Sequence, residues 1–290
     1  MAAEIDDRLT TGKEITLFET YPFTVEAGCT RNADFWGATV DFSCLGVLNS
    51  DYADYPGYKG GVAISARHVL QAGHCPFIVG NELTFATMES APTLYTRTVT
   101  DVTVHPSYEN YYPDIAIATL SEDLPASIVP AKMLPDNWED WFPELPGVPS
   151  DVARWGHGVE HTRLYRLPIA IHNMSGRVHV ENVLSVGASY SVPSRLHTLE
   201  GTTPESLFYS VVMPQDVNRQ AFSYYLVKGD CGHGGFLILN GAPVLAHMPI
   251  TSPSYVGTFT VGFADWINSV MAEDGEYQLE RADLSGFVKA

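Results

Sequence analysis

Three side chains of this 290-residue chain could together break an acyl bond: the thiol of Cys231, the imidazole of His74 and the carboxylate of Asp114. Cys231 sits in KGDCGHGG (228–235), a glycine-rich turn that runs into the apolar stretch GFLIL. Glycines let a backbone take unusual φ/ψ values and let a substrate carbonyl approach closely. Successive N–H groups of such a turn can converge on a developing oxyanion. A thiol attacks as the thiolate, so it needs a base to take its proton and a carboxylate to orient that base. His74 is the next-to-last residue of GVAISARHVLQAGHC (61–75), in a small-residue turn that follows two apolar runs. Asp114 stands just ahead of the apolar run IAIATL, where a strand can hold a carboxylate at its mouth. His68 is the rival base, since it too follows a β-prone run. Spacing alone does not bring these groups together.

The elements that must position them read as β-structure. Glycine (24) and proline (19) are spread along the chain and separate short runs rich in Val, Ile, Tyr, Thr and Phe. Examples are 61–65, 95–104, 177–186 and 235–239, a pattern that predicts an all-β sandwich or barrel. Alternation in TVTDVTV (98–104) predicts a half-buried strand. LPDNWEDWFPELPGVPS (134–150), with four prolines, reads as a connection between two halves, which Trp138 and Trp141 pin onto the body. Phe263, Trp266, Ile267 and Val270 recur at helical spacing, and Gly275 ends that helix. Residues 1–30 read as an extension outside the main core, and the last fifteen as a polar tail.

Composition narrows the function. Hydrophobic residues make up 45% and charged residues 17%, which fits a folded chain with a sizeable core. Sixteen Lys and Arg against 34 Asp and Glu give a net charge of −18, which argues against nucleic acid or an anionic membrane as partner. The N-terminal MAAEIDDRLTTGKEITLFE has no signal-peptide pattern, as expected of either a cytoplasmic protein or a mature secreted chain. Cys29, Cys44, Cys75 and Cys231 form no CxxC pair and are too sparse for a disulfide scaffold, so buried thiols with at most one bridge are expected. His157 and His161 in HGVEH have the ligand spacing of a helix, but they follow Trp155-Gly156 in a turn context, so no metal is expected. Asn173-Met174-Ser175 formally fits a glycosylation acceptor.

Five segments carry a resemblance. ISARHVLQAGHC, DIAIATL, RWGHG (154–158), GDCGHGG and FADWINSVM resemble, in this order, motifs of the chymotrypsin-like (trypsin-like) protease family. The match spans roughly residues 40 to 272, with cysteine, native or introduced, where the family has serine. The resemblance implies an all-β fold of two antiparallel six-stranded β-barrels with a C-terminal helix. It divides the chain into an extension (1–30), a first barrel with His and Asp (31–135), a connection (136–150), a second barrel with nucleophile and helix (151–275) and a tail (276–290). It implies an endopeptidase that needs no cofactor and takes a protein or peptide substrate. His74 would be general base and then acid, Asp114 its orienting carboxylate, Cys231 the nucleophile, and the N–H groups of Gly229 and Cys231 the oxyanion hole.

Met248, Pro249 and Ile250 would lie along the substrate. Tyr225, six residues before the nucleophile, stands where trypsins have Asp, so cleavage after Arg or Lys is not expected. His247 in VLAH (244–247) would contact a Glu or Gln side chain, or else be a packing histidine. Two departures stand out. His233-Gly234-Gly235 replaces the usual Gly-Gly-Pro, and without an Ile-Val-Gly-Gly start Asp230 needs a partner other than a new N-terminus. The alternative reading is a catalytically silent relative that binds a peptide in the same cleft.

Overall fold

The β-prone runs and their turn residues fold as the pattern predicts into a mainly β protein with one closed six-stranded barrel and a short C-terminal helix. The structure is a computed structural model that describes residues 2–20, 29–49, 59–108, 113–142, 158–162, 167–172, 178–183, 188–191, 208–212, 217–223, 230–250 and 256–290. The barrel contains β3 (Leu45–Asn49), β4 (Gly60–Ala63), β5 (His68–Gln71), β6 (Glu82–Ala86), β7 (Leu94–Val104) and β8 (Ala116–Leu120), closed in the order β3-β4-β5-β8-β7-β6. Ahead of it, β1 (Phe18–Thr20) and β2 (Thr30–Arg31) form a small antiparallel ribbon.

A second sheet holds β9 (Lys132–Met133), β11 (Leu167–His172), β12 (Val178–Val183), β14 (Phe208–Val212), β15 (Gly235–Leu239), β16 (Ala242–Ile250) and β17 (Val256–Phe259). Its order is β15-β11-β12-β14-β17-β16-β9, and β15 also pairs with β16. The strands β10 (Gly158–Thr162) and β13 (Ala188–Ser191) pair with each other. Helices are α1 (Ala2–Thr11), α2 (Val217–Gln220) and α3 (Ala264–Met271).

Strands β4, β5 and β8 are buried at every residue, because both of their faces are covered. The longer β7 is mostly half-buried, with Val99 its one buried residue, but its burial does not alternate: a bulge between Val99 and Asp101 shifts its register against β8 and leaves Thr100 and Asp101 both exposed. The β15–β16 hairpin turns at Asn240 and Gly241, both at positive φ (52° and 76°), which is the geometry an Asn-Gly pair favours. In α3 the expected stripe is buried at Phe263 just before it and at Ile267 and Val270, and Gly275 follows the helix at φ 139°.

Both chain ends correct the sequence reading. Residues 1–30 were expected outside the main core, yet Ile5, Leu9, Leu17 and Phe18 belong to it. Helix α1 is fastened by a two-pronged ion pair from Arg219 to Asp6, with N···O distances of 2.6 and 2.7 Å. Glu4 accepts the N–H groups of Asn240 and Gly241 at 2.8 and 2.7 Å, which caps the hairpin turn. The expected polar tail buries Leu279, Ala282 and Leu284, and Arg281 donates to the Leu134 carbonyl. Apolar residues thinly set among charges hid both segments from a periodicity argument. Trp138 is pinned as expected: it is fully buried, edge-on to Phe259 with ring centres 5.1 Å apart. Trp141 donates its indole N–H to the Phe287 carbonyl.

Candidate functional site

The site grows from the ends of β5 and β8 in the barrel and from the turn ahead of β15. After β5 the chain passes through Ala72 and Gly73 to His74. A Cβ at Gly73 would lie 3.1 Å from the Ile115 backbone and 3.3 Å from Asp114 Oδ1, so the smallest residue lets this turn press against the start of β8. Asp114 is fully buried there. Its Oδ1 accepts the His74 backbone N–H at 2.6 Å, and its Oδ2 meets His74 Nδ1 at 2.6 Å. An ionised carboxylate only accepts, so the second bond puts the ring proton on Nδ1. The Asp114 N–H in turn donates to Thr258 Oγ1 on β17 at 3.0 Å, which ties the carboxylate to the second sheet.

Cys231 comes from the other sheet, in the glycine turn before β15, and is nearly buried. Gly232 follows at φ +82°, and a Cβ there would stand 2.8 Å from the Gly60 carbonyl oxygen. His233, buried, lays its ring over Gly60, where a Cβ would meet it at 2.3 Å. The departure His233-Gly234-Gly235 therefore has a physical reason: imidazole and glycine together press the turn onto β4. A His74 ring nitrogen also lies within 4.8 Å of the Cys231 sulfur. Burial opposes its positive charge, but the hydrogen bonds and charges of Asp114 and Cys231 outweigh burial and push the imidazole up to about 10.

Three expected residues are thus brought together: His74, Asp114 and Cys231. The rival His68 is not part of this group. Its Nδ1 faces Ser65 Oγ at 2.8 Å and its Nε2 faces Asp274 at 3.0 Å, fully buried. Burial, the first influence on its ring, holds His68 below the ordinary imidazole value despite Asp274. His247, Met248 and Pro249 are buried in β16, and Ile250 ends that strand. The His247 ring covers Gly235, where a Cβ would lie 1.9 Å from it, so it packs against the strand that leaves the Cys231 turn. Gly229, Tyr225, His157 and Asn173 lie outside the described residues, and of His161 only its place in β10 is described.

Two members of the site were missed by sequence reasoning. Thr258 has no motif around it, and only the fold brings it to Asp114. Cys75 follows His74 directly and reads as one of several structural thiols, but its sulfur, the Cys231 sulfur and a His74 ring nitrogen all lie within 4.8 Å of one another. A hydrogen bond with Cys231, then burial and the charge of Cys231, raise the Cys75 thiol far above its ordinary value; the Lys59 ammonium opposes them. None of the four cysteines is disulfide-bonded. The chain matches no protein-family model, and no curated protein matches it.

Proposed function

We propose that the chain is a chymotrypsin-like endopeptidase with Cys231 as nucleophile, His74 as proton carrier and Asp114 as orienting group. The observation that carries this reading is the placement of His74, hydrogen-bonded to a buried carboxylate while a ring nitrogen lies within 4.8 Å of a thiol from another sheet. The reading takes the ring of pairings β11-β12-β14-β17-β16-β15 as a second six-stranded barrel, and the bonding of β15 to both β11 and β16 supports it. The catalytic groups then come from the rims of two barrels, His74 and Asp114 from one and Cys231 from the other.

His74 takes the Cys231 proton, and the thiolate sulfur adds to the peptide carbonyl carbon. The carbonyl π pair moves to oxygen, where the N–H groups of Cys231 and Gly229 receive it. The C–N bond then breaks, and its electron pair takes the proton from His74, releasing the amine and leaving a thioester. Water gives a proton to His74 and adds its oxygen to the thioester carbon. The C–S bond breaks, the acid product leaves, and Cys231 is restored. Asp114 stabilises the imidazolium through Nδ1–H at both stages. Once the proton has moved, an imidazolium at His74 favours the thiolate of the neighbouring Cys231. His247, fully buried with its ring against Gly235, fits the packing alternative and not a pocket for a Glu or Gln side chain.

A peptide-library cleavage profile tests the reading in three forms: the chain as it stands, Cys231→Ala and Cys231→Ser. Cleavage after a narrow set of residues, lost in Cys231→Ala, supports it; full activity in Cys231→Ala overturns it. A Cys231→Ser form that is much faster marks the site as one shaped for serine. A thiol-reactive probe covers the silent alternative, in which labelling at Cys231 would not depend on His74.

A further inference from the structure

The thiol beside the nucleophile has no place in peptide hydrolysis. Cys75 is directly bonded to the polypeptide at His74, and its sulfur shares one small space with the Cys231 sulfur and a His74 ring nitrogen, every pair within 4.8 Å. Two thiols and an imidazole are the donor set of a thiophilic divalent metal. A tetrahedral zinc ion with Zn–S near 2.3 Å and Zn–N near 2.0 Å holds its donors about 3.5–3.8 Å apart, so closing the site needs side-chain shifts of about 1 Å or less.

The surroundings are also those of a metal site. A histidine that ligates a metal usually donates its other ring N–H to a carboxylate, which fixes the tautomer and raises its basicity. His74 has that arrangement with the fully buried Asp114, at 2.6 Å. The carboxylate is held in turn by the His74 backbone N–H and by its own N–H on Thr258. Three protein donors leave a fourth position for water. Two sulfurs this close cannot both ionise without a cation between them, because their charges repel in a poorly solvated space.

We propose that His74, Cys75 and Cys231 form a binding site for a thiophilic divalent cation of the zinc type. Binding exchanges two protons for the metal: one from Cys75, one from the His74–Cys231 pair. The His74 ring then has no lone pair for a substrate proton, and the Cys231 sulfur has no free charge for attack. Metal and peptide substrate therefore exclude each other, a consequence that rests on the endopeptidase reading, whereas the binding itself does not. The ligands are distant along the chain except for one adjacent pair, which is why no metal was expected from spacing.

The test uses the full-length protein, reduced with a phosphine and freed of metal, and titrates it with Co²⁺ and Zn²⁺ salts. One Co²⁺ per chain with thiolate-to-metal charge-transfer absorption near the ultraviolet, displaced by one Zn²⁺, supports the site. Cys75→Ser is expected to weaken Zn²⁺ binding by about 100-fold and to halve the charge-transfer band, and Asp114→Asn to weaken it by about 10-fold. Circular dichroism of each variant confirms that it folds. Absence of a thiolate band, or equal Zn²⁺ affinity in Cys75→Ser and the parent, overturns the site. Peptidase assays at the same Zn²⁺ concentrations separate the two claims. A silent protein with a two-thiolate Co²⁺ spectrum keeps the site and removes the peptidase; an active protein indifferent to Zn²⁺ does the reverse.

Discussion

Asp114→Asn is the sharpest perturbation of the proposed mechanism, because it changes charge and donor pattern with almost no change of shape. The carboxylate accepts two hydrogen bonds from one residue, the backbone N–H and the ring Nδ1–H of His74, each at 2.6 Å. An asparagine has one accepting oxygen. If that oxygen keeps the backbone N–H, the amide NH₂ faces Nδ1 and forces Nδ1 to accept. The ring proton then moves to Nε2, and the nitrogen meant to receive the Cys231 proton is blocked. Losing one charge-assisted bond removes about 1.5–3 kcal/mol, which alone is worth roughly 10- to 150-fold in rate. The reversed tautomer extends the loss towards about 10⁴-fold in kcat, less for a thiol that ionises unaided.

The assay is hydrolysis of the best library peptide, with iodoacetamide alkylation of Cys231 followed against pH as a substrate-independent readout. Native alkylation should begin at a pH below that of an ordinary thiol and shift upward in Asp114→Asn. Linkage adds a second signature. The His74 imidazole is raised from 6.5 to about 10, so its contribution to stability is complete below pH 6.5 and is lost as pH rises through about 10. Unfolding midpoints of Asp114→Asn should be flatter across that window. A variant that folds, hydrolyses and alkylates like the parent would refute the reasoning.

Three other perturbations follow from the same structure. Gly232→Ala forces a side chain into the left-handed region and against the Gly60 carbonyl; it should cost at least about 1–2 kcal/mol in urea unfolding and slow turnover more than it weakens substrate binding. His68 is held below its ordinary value of 6.5, so its contribution to stability is complete above pH 6.5 and is lost as pH falls through its lower folded value. His68→Ala should therefore lose about 1–3 kcal/mol at neutral pH and show a smaller further loss on acidification, read from urea midpoints at pH 7.5 and 5. Asp6→Ala breaks the two-pronged pair with Arg219, a partly exposed bond worth about 1 kcal/mol, and should release α1 to limited proteolysis before the barrel unfolds.

Much of the local structure was legible in short stretches. GFLIL (235–239) becomes β15 residue for residue, and YTRTVTDVTV (95–104) becomes all but the first residue of β7, because both runs are bounded by turn formers. His74 and Asp114 were legible because each sits at the end of an apolar run whose direction the strand then fixes. Long-range partners were not. Thr258 reaches Asp114 only after β17 is laid against the barrel, and Cys75 meets Cys231 only after the glycine turn is pressed onto β4. Ile5 and Leu9 do have helical spacing, but within AAEIDDRLTT they give too narrow an apolar stripe to suggest a buried helix.

What holds the site is a set of close contacts between two sheets, none of which is itself part of the chemistry. Asp114 is fixed to β17 through Thr258, and the Cys231 turn is fixed to β4 by Gly232 and His233 against Gly60. Imidazole and thiol therefore belong to different sheets, and their separation depends on how the sheets are seated. A slip of 1 Å between sheets would move the His74 ring relative to the Cys231 sulfur while leaving each sheet's own ladder intact. Gly60 is the most exacting of these contacts, since a Cβ there would lie 2.3 Å from the buried His233 ring. Gly60→Ala should therefore push the nucleophile turn off β4. The expected result is a protein with near-native circular dichroism whose Cys231 alkylates like an ordinary thiol and no longer responds to Asp114→Asn. Retention of fast, His74-dependent alkylation in Gly60→Ala would mean that the sheets are seated by something other than this contact.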